Sequence, residues 1–89
     1  MMTNYVARER AKDALAKQKA ELASHREKLE AFQKAYGLLD DDAEPAIIDA
    51  LHTSIVNETR KVTITEANIR SIERDLKTKY SVTPEYLAV

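Results

Sequence analysis

The chain has 89 residues, enough for one domain at most, and its net charge of −1 gives no overall reason to expect nucleic acid. It has no cysteine, which excludes a disulfide framework and a thiolate metal site. One Gly, two Pro and 33% charged residues are typical of long helices rather than of a loop-rich fold. The chain does not open on a signal-peptide pattern, and no apolar stretch approaches the ~18 residues of a membrane span. We therefore expect a cytoplasmic protein with no membrane partner.

The first predicted element is a helix over about residues 4–36, with Thr3 or Asn4 as its N-cap. Apolar residues recur through it every seven positions in two interleaved sets, as in a coiled coil. Gly37 follows, where a residue of positive φ commonly ends a helix, and Leu38 suits the apolar contact that accompanies such a cap. The sequence thus predicts that the first helix ends just before Gly37.

The connection is predicted over residues 37–44 and contains an acidic run from Asp40 to Glu44. These acids are expected to cap the next helix and to complement its positive end. They lack the alternating ligands and the central Gly of a calcium loop, so no ion site is predicted here.

The second predicted helix covers about residues 45–80 and begins with Pro45 in its first turn. The β-branched run Lys61–Thr65 keeps the seven-residue stripe in register, so we interpret it as helix rather than strand. The tail, residues 81–89, departs from the helical pattern. It is left open between a short further helical turn, docking of its apolar residues on a neighbour, and disorder.

Because the connection is short, the two helices are predicted to run antiparallel within a single domain, residues 1–89. The fold class is all-α, a long coiled-coil-like hairpin. The stripes predict an interaction seam that comprises Leu15, Leu22, Leu29, Phe32, Ile48, Ile55, Val62, Ile69, Ile72 and Leu76. Polar residues interrupt the stripes at Gln18, His25, Glu58 and Thr65, where they either fix the register or mark places at which the seam opens to water.

Several apolar or small residues lie off the seam. Apolar coverage this wide predicts further helices, most simply from a second copy that completes a four-helix or larger bundle by homo-oligomerisation. The alternative is a monomer with scattered surface apolar residues. The predicted oligomer or partner face comprises Ala16, Ala20, Ala23, Ile47, Val56 and Ile64.

Charge is separated along the predicted rod. Residues 29–59, near the turn, carry a net charge of −6, whereas residues 5–28 and 60–79 together carry +6. Such a basic end could bind a phosphate-containing ligand, a nucleotide or nucleic acid, although interleaved charges are commonly a solvated surface. The candidate anion-binding residues are Tyr5, Arg8, Lys12, Arg70, Arg74 and Lys77.

Catalytic and metal chemistry have little support in the sequence. Asp49 and His52 share an i, i+3 spacing found in bundle metal sites, but the other ligands of such a site are missing. We expect no metal, no cofactor and no enzymatic activity. The expected function is that of a helical-hairpin interaction protein: an oligomeric adaptor, an assembly component, or a small inhibitor that masks a partner protein, of the kind phages and mobile elements encode. The alternative is an oligomer that binds a phosphorylated ligand or nucleic acid at its basic end.

Overall fold

A computed structural model describes the backbone of residues 2–79 and the side chains of residues 5–79. Helix α1 spans Met2–Gly37 and helix α2 spans Pro45–Thr78. The all-α fold of two helices that pack on each other is confirmed. Because α1 begins at Met2, Thr3 and Asn4 lie inside the helix, and the prediction that one of them is its N-cap is wrong. The predicted tail, residues 81–89, lies outside the described residues.

The two helices run antiparallel, as their side-chain contacts demonstrate. His25 contacts Glu58, and Gln18, one heptad earlier in α1 and farther from the turn, contacts Asn68, ten residues later in α2. A contact residue with a lower number in α1 therefore has a partner with a higher number in α2, which is the pattern of an antiparallel pair. At 1.5 Å per residue, each helix is about 50 Å long.

The end of α1 differs from the predicted glycine cap. Gly37 belongs to the helix and its φ is not positive. The last turn of the helix tightens towards 3₁₀ geometry, because the Leu38 N–H donates hydrogen bonds to the carbonyl oxygens of both Lys34 and Ala35, each with an N–O distance of 3.2 Å. The Leu38 side chain is 79% exposed, so it does not make the apolar contact expected of a cap.

Helix α2 begins with Pro45 in its first turn, where the missing N–H leaves no bond unmade. The preceding Glu44 has an extended backbone but makes no side-chain hydrogen bond to the helix. Asp40 instead accepts a hydrogen bond from the Asp42 N–H at 3.1 Å, which folds the turn on itself. The expectation that the acidic run caps α2 by side-chain hydrogen bonds is therefore not met at the N-cap.

The hairpin has a thin interior. Ile69, 8% exposed, is the one hydrophobic residue buried in the described part of the chain. Two helices can bury only the strip where they touch, and the remaining apolar side chains stay in contact with solvent. Neither helix is long and apolar enough to cross a bilayer, as far as residues 2–79 are concerned.

Candidate interaction site: the seam and its two flanks

The predicted seam residues lie along the line where the helices meet. Ile69 is buried, and the other members are partly buried, with exposed residues between them along each helix. This places the seven-residue stripes of the two helices against each other. The partly buried members are Leu15, Leu22, Leu29, Phe32, Ile48, Ile55, Val62, Ile72 and Leu76.

The centre of the seam is polar. Thr65 and Glu58 are 5% and 6% exposed, which makes them less exposed than any aliphatic seam residue. His25 Nδ1 lies 2.8 Å from Glu58 Oε2, a distance typical of a charge-assisted hydrogen bond. The seam is therefore closed to water at Glu58 and Thr65, contrary to the interpretation that polar positions mark openings.

Opposing effects act on the pKa of Glu58. Burial raises it, because the charged carboxylate loses hydration, while the hydrogen bond from His25 and the positive charge of Lys61 lower it. Lys61 Nζ lies 3.5 Å from Glu58 Oε1. The two partners prevail and hold the pKa of Glu58 below its ordinary value, so the carboxylate is ionised at neutral pH.

The rest of the surface divides into two flanks, defined here by heptad letters with Leu15 and Ile48 as position a. Around a helix, positions e and b lie on one side of the a–d seam and positions g and c on the other. Lys19, Arg26, Glu66 and Glu73 are all e residues, and they pair across the helices. The e and b residues of both helices therefore share one side, the charged flank, and the g and c residues share the other, the small-residue flank.

The charged flank holds ion pairs between the helices. Arg26 lies 2.8 Å from Glu66, and Lys19 lies 4.0 Å from Glu73. Ten of its twenty helical positions from Tyr5 to Thr78 are charged. They are Glu9, Lys12, Lys19, Arg26, Glu30, Asp49, Glu66, Arg70, Glu73 and Lys77.

The small-residue flank is less charged, with six of its nineteen helical positions ionisable. Its charged members are Arg10, Lys17, Glu21, Lys28, Lys61 and Asp75, and alanine and serine fill many of the others. At the open end of the hairpin this flank contains a shallow groove lined by Ala7, Arg10, Ala11, Ile72 and Asp75. Small side chains and a groove allow another helix to approach closely.

The residues predicted as one oligomer face are all exposed but fall on different sides of the hairpin. Ile47 and Ile64 are on the small-residue flank and are 47% and 53% exposed. Val56, 42% exposed, is on the charged flank with Ala16 and Ala23. Ala20 lies on the outer ridge of α1, at position f. A single partner helix cannot cover all six.

At the basic end, acids are mixed with the predicted anion-binding residues. The Arg8 guanidinium lies over the Tyr5 ring at 5.9 Å, and Glu9 is within 3.8 Å of Arg8 and 3.7 Å of Lys12. On α2, Arg70, Arg74 and Lys77 are exposed at b and f positions, facing away from the seam. The groove at this end also places Asp75 beside Arg10. The candidate cations therefore do not converge on one pocket.

His52 is exposed on the charged flank, separate from the seam pair. Within residues 5–79, no three His, Asp or Glu side chains are grouped closely enough to hold a metal ion. Among these residues, the fold therefore brings no further metal ligand to the acidic turn or to Asp49 and His52.

No family model, curated protein or solved structure matches this chain.

Two features escaped the sequence analysis. The contact between His25 and Glu58 was not predicted, although both were assigned to polar positions of the seam. The ion pairs of the charged flank were not predicted either. The signal was present, because e positions carry cations in α1 (Lys12, Lys19, Arg26) and acids in α2 (Glu66, Glu73), as in antiparallel coiled coils.

Proposed function

We propose that this protein is a helical-hairpin interaction module whose working form is an assembly of at least two copies. The observation that carries the proposal is the thin interior. One hydrophobic residue is buried in the described part of the chain, while Ile47, Val56 and Ile64 remain 42–53% exposed. A domain of this size needs most of its apolar surface for its own stability. Association with a second copy would bury what the hairpin leaves uncovered.

An assembly of this kind suits an adaptor, a component of a larger structure, or an inhibitor that masks another protein. All three roles use the same property, an elongated helical surface that stays incomplete without a partner. The proposal does not include catalysis, because the seam is mostly aliphatic and its polar centre is occupied by a hydrogen-bonded pair.

Anion binding at the basic end is a weaker candidate. The +6 charge of residues 5–28 and 60–79 favours it. Glu9 already pairs with Arg8 and Lys12, and Asp75 lies in the neighbouring groove, so bound phosphate would meet two carboxylates as well. These contacts favour protein association over ligand capture.

Native mass spectrometry of the full chain, together with light scattering after size exclusion, tests the proposal. We expect a dimer or a larger assembly at micromolar concentration, with no bound small molecule. A monomer throughout the micromolar range would contradict self-association. A retained phosphate-containing ligand that is lost in an Arg8→Glu, Lys77→Glu variant would favour the anion-binding candidate instead.

A further inference from the structure

The two flanks offer different surfaces to a second copy. On the charged flank, Lys19 and Arg26 are already paired with Glu73 and Glu66 of the same hairpin. Covering that flank would strip water from these ions, a cost that a new contact seldom recovers. On the small-residue flank the polar contact between the described helices is the uncharged pair of Gln18 and Asn68, at 3.4 Å. Docking there costs less desolvation.

The small-residue flank also presents apolar side chains that lack cover. Ile64 and Ile47 are about half exposed, and the same flank carries small side chains at Ala14, Ala31 and Ser54. Axes of packed helices approach to roughly 8–10 Å when the intervening side chains are small. This flank therefore fits a pair of helices from another hairpin.

The charge along the rod selects the direction of the second copy. Residues 29–59, towards the turn, carry −6, and residues 5–28 and 60–79 together carry +6. A parallel copy would place like charges together at both ends. An antiparallel copy instead brings the acidic turn, Asp40–Glu44, to the basic open end of its partner. Opposite charges matched in this way favour the antiparallel register.

Ile64 lies at the middle of the rod. The midpoint of α1 falls between Gln18 and His25, whose partners in α2 are Asn68 and Glu58, and Ile64 lies between those partners. An antiparallel copy related by a two-fold axis therefore places Ile64 near its own equivalent. Ile47 is about 25 Å away along α2, so its two equivalents would be roughly 50 Å apart.

We propose that a second copy of this chain docks antiparallel on the small-residue flank, with the two-fold axis beside Ile64, to form a four-helix bundle. The proposal rests on the self-association proposed above and adds the surface, the direction and the symmetry. Because a two-fold axis relates the two copies, they bury the same residues in one isologous contact, with Ile64 near its centre.

Single-cysteine cross-linking tests this geometry, since the natural chain has no cysteine to interfere. Three full-length variants are compared: Ile64→Cys, Thr63→Cys and Ile47→Cys. Thr63 is the matched control for Ile64, because it lies at the same level of the rod, is exposed, and belongs to the charged flank. Each variant is treated with a short bismaleimide, and the covalent dimer is measured on a denaturing gel.

We expect Ile64→Cys to yield at least about ten times more covalent dimer than either other variant. Efficient linkage of Ile47→Cys would indicate a parallel dimer, and preferential linkage of Thr63→Cys would indicate docking on the charged flank; either result overturns the inference. The oligomeric state of the unmodified chain separates the remaining outcomes. No linkage in a chain that is dimeric overturns this geometry alone, whereas no linkage in a chain that is monomeric overturns self-association as well.

Discussion

On the charged flank, Arg26 and Lys19 of α1 reach Glu66 and Glu73 of α2, whereas the small-residue flank leaves Ile47 and Ile64 about half exposed. Both flanks border the same seam and are built on the same two helices. The charged flank pairs its charges between the two helices of one hairpin. The small-residue flank keeps apolar surface that the hairpin cannot cover. The difference indicates that such a rod associates on the flank whose side chains the hairpin leaves uncovered.

The largest expected effect comes from placing a charge on the small-residue flank. In the proposed dimer, Ile64→Asp buries two unpaired carboxylates near the axis, at about 2 kcal/mol or more for each. We expect the dimer Kd to rise roughly 1000-fold, which corresponds to about 4 kcal/mol. Sedimentation equilibrium measures the change.

Thr63→Asp is the control for that substitution, because it adds the same charge one residue away, on the charged flank. We expect it to change the dimer Kd by less than about threefold, as is usual for a solvent-exposed substitution. Equal weakening by the two variants would remove the distinction between the flanks.

The hydrogen-bonded pair of His25 and Glu58 in the seam predicts an effect on folding stability that is intermediate in size and depends on pH. The pKa of Glu58 is lowered in the folded chain, so the unfolded chain binds the proton more readily and stability rises with pH through this range. The stabilisation is present above the ordinary pKa of 4.5 and is lost as the pH falls below it. Protonation would also leave Lys61, on the small-residue flank, without its carboxylate partner.

Urea unfolding of the unmodified chain and of Glu58→Gln, at pH values from 7 down to 3, measures this contribution. We expect the unmodified chain to be the more stable of the two at pH 7, and the difference to shrink as the pH falls through about 4.5. A difference that does not depend on pH would show that Glu58 acts by shape and hydrogen bonding rather than by charge.

The smallest expected effect is on the charged flank. Arg26 and Glu66 are 2.8 Å apart but well exposed, and exposed pairs contribute about 0.2–1 kcal/mol. A double-mutant cycle with Arg26→Ala and Glu66→Ala should give a coupling energy in that range. The dimer Kd should stay unchanged, since the charged flank faces solvent in the proposed bundle. A loss of dimer would place the interface on this flank.

The sequence predicted the helices well because seven-residue periodicity repeats over their whole length, and Pro45 marks the start of α2. It failed at the turn, where Gly37 continues the helix and Leu38 points to solvent. Whether a helix ends in a glycine cap or by tightening depends on the path of the next few residues, which no periodic signal fixes.

The same limit applies to the site. The seam positions follow from the stripes, but the partner of His25 depends on the length of the turn, which shifts the helices along each other. The six residues predicted as one face could be separated only when the contacts of Lys19 and Arg26 established which side each heptad position occupies. Periodicity identifies an uncovered residue, and only the register assigns it to a flank.

The most direct test of the central claim is the thermal unfolding of the unmodified chain, followed by far-ultraviolet circular dichroism, at concentrations from about 1 to 200 μM. If a second copy covers the small-residue flank, folding is coupled to association and the Tm rises with protein concentration by mass action. We predict a clear upward shift across this range, and a smaller one for Ile64→Asp. A Tm that is the same at every concentration would contradict the account, because the hairpin would then be stable alone.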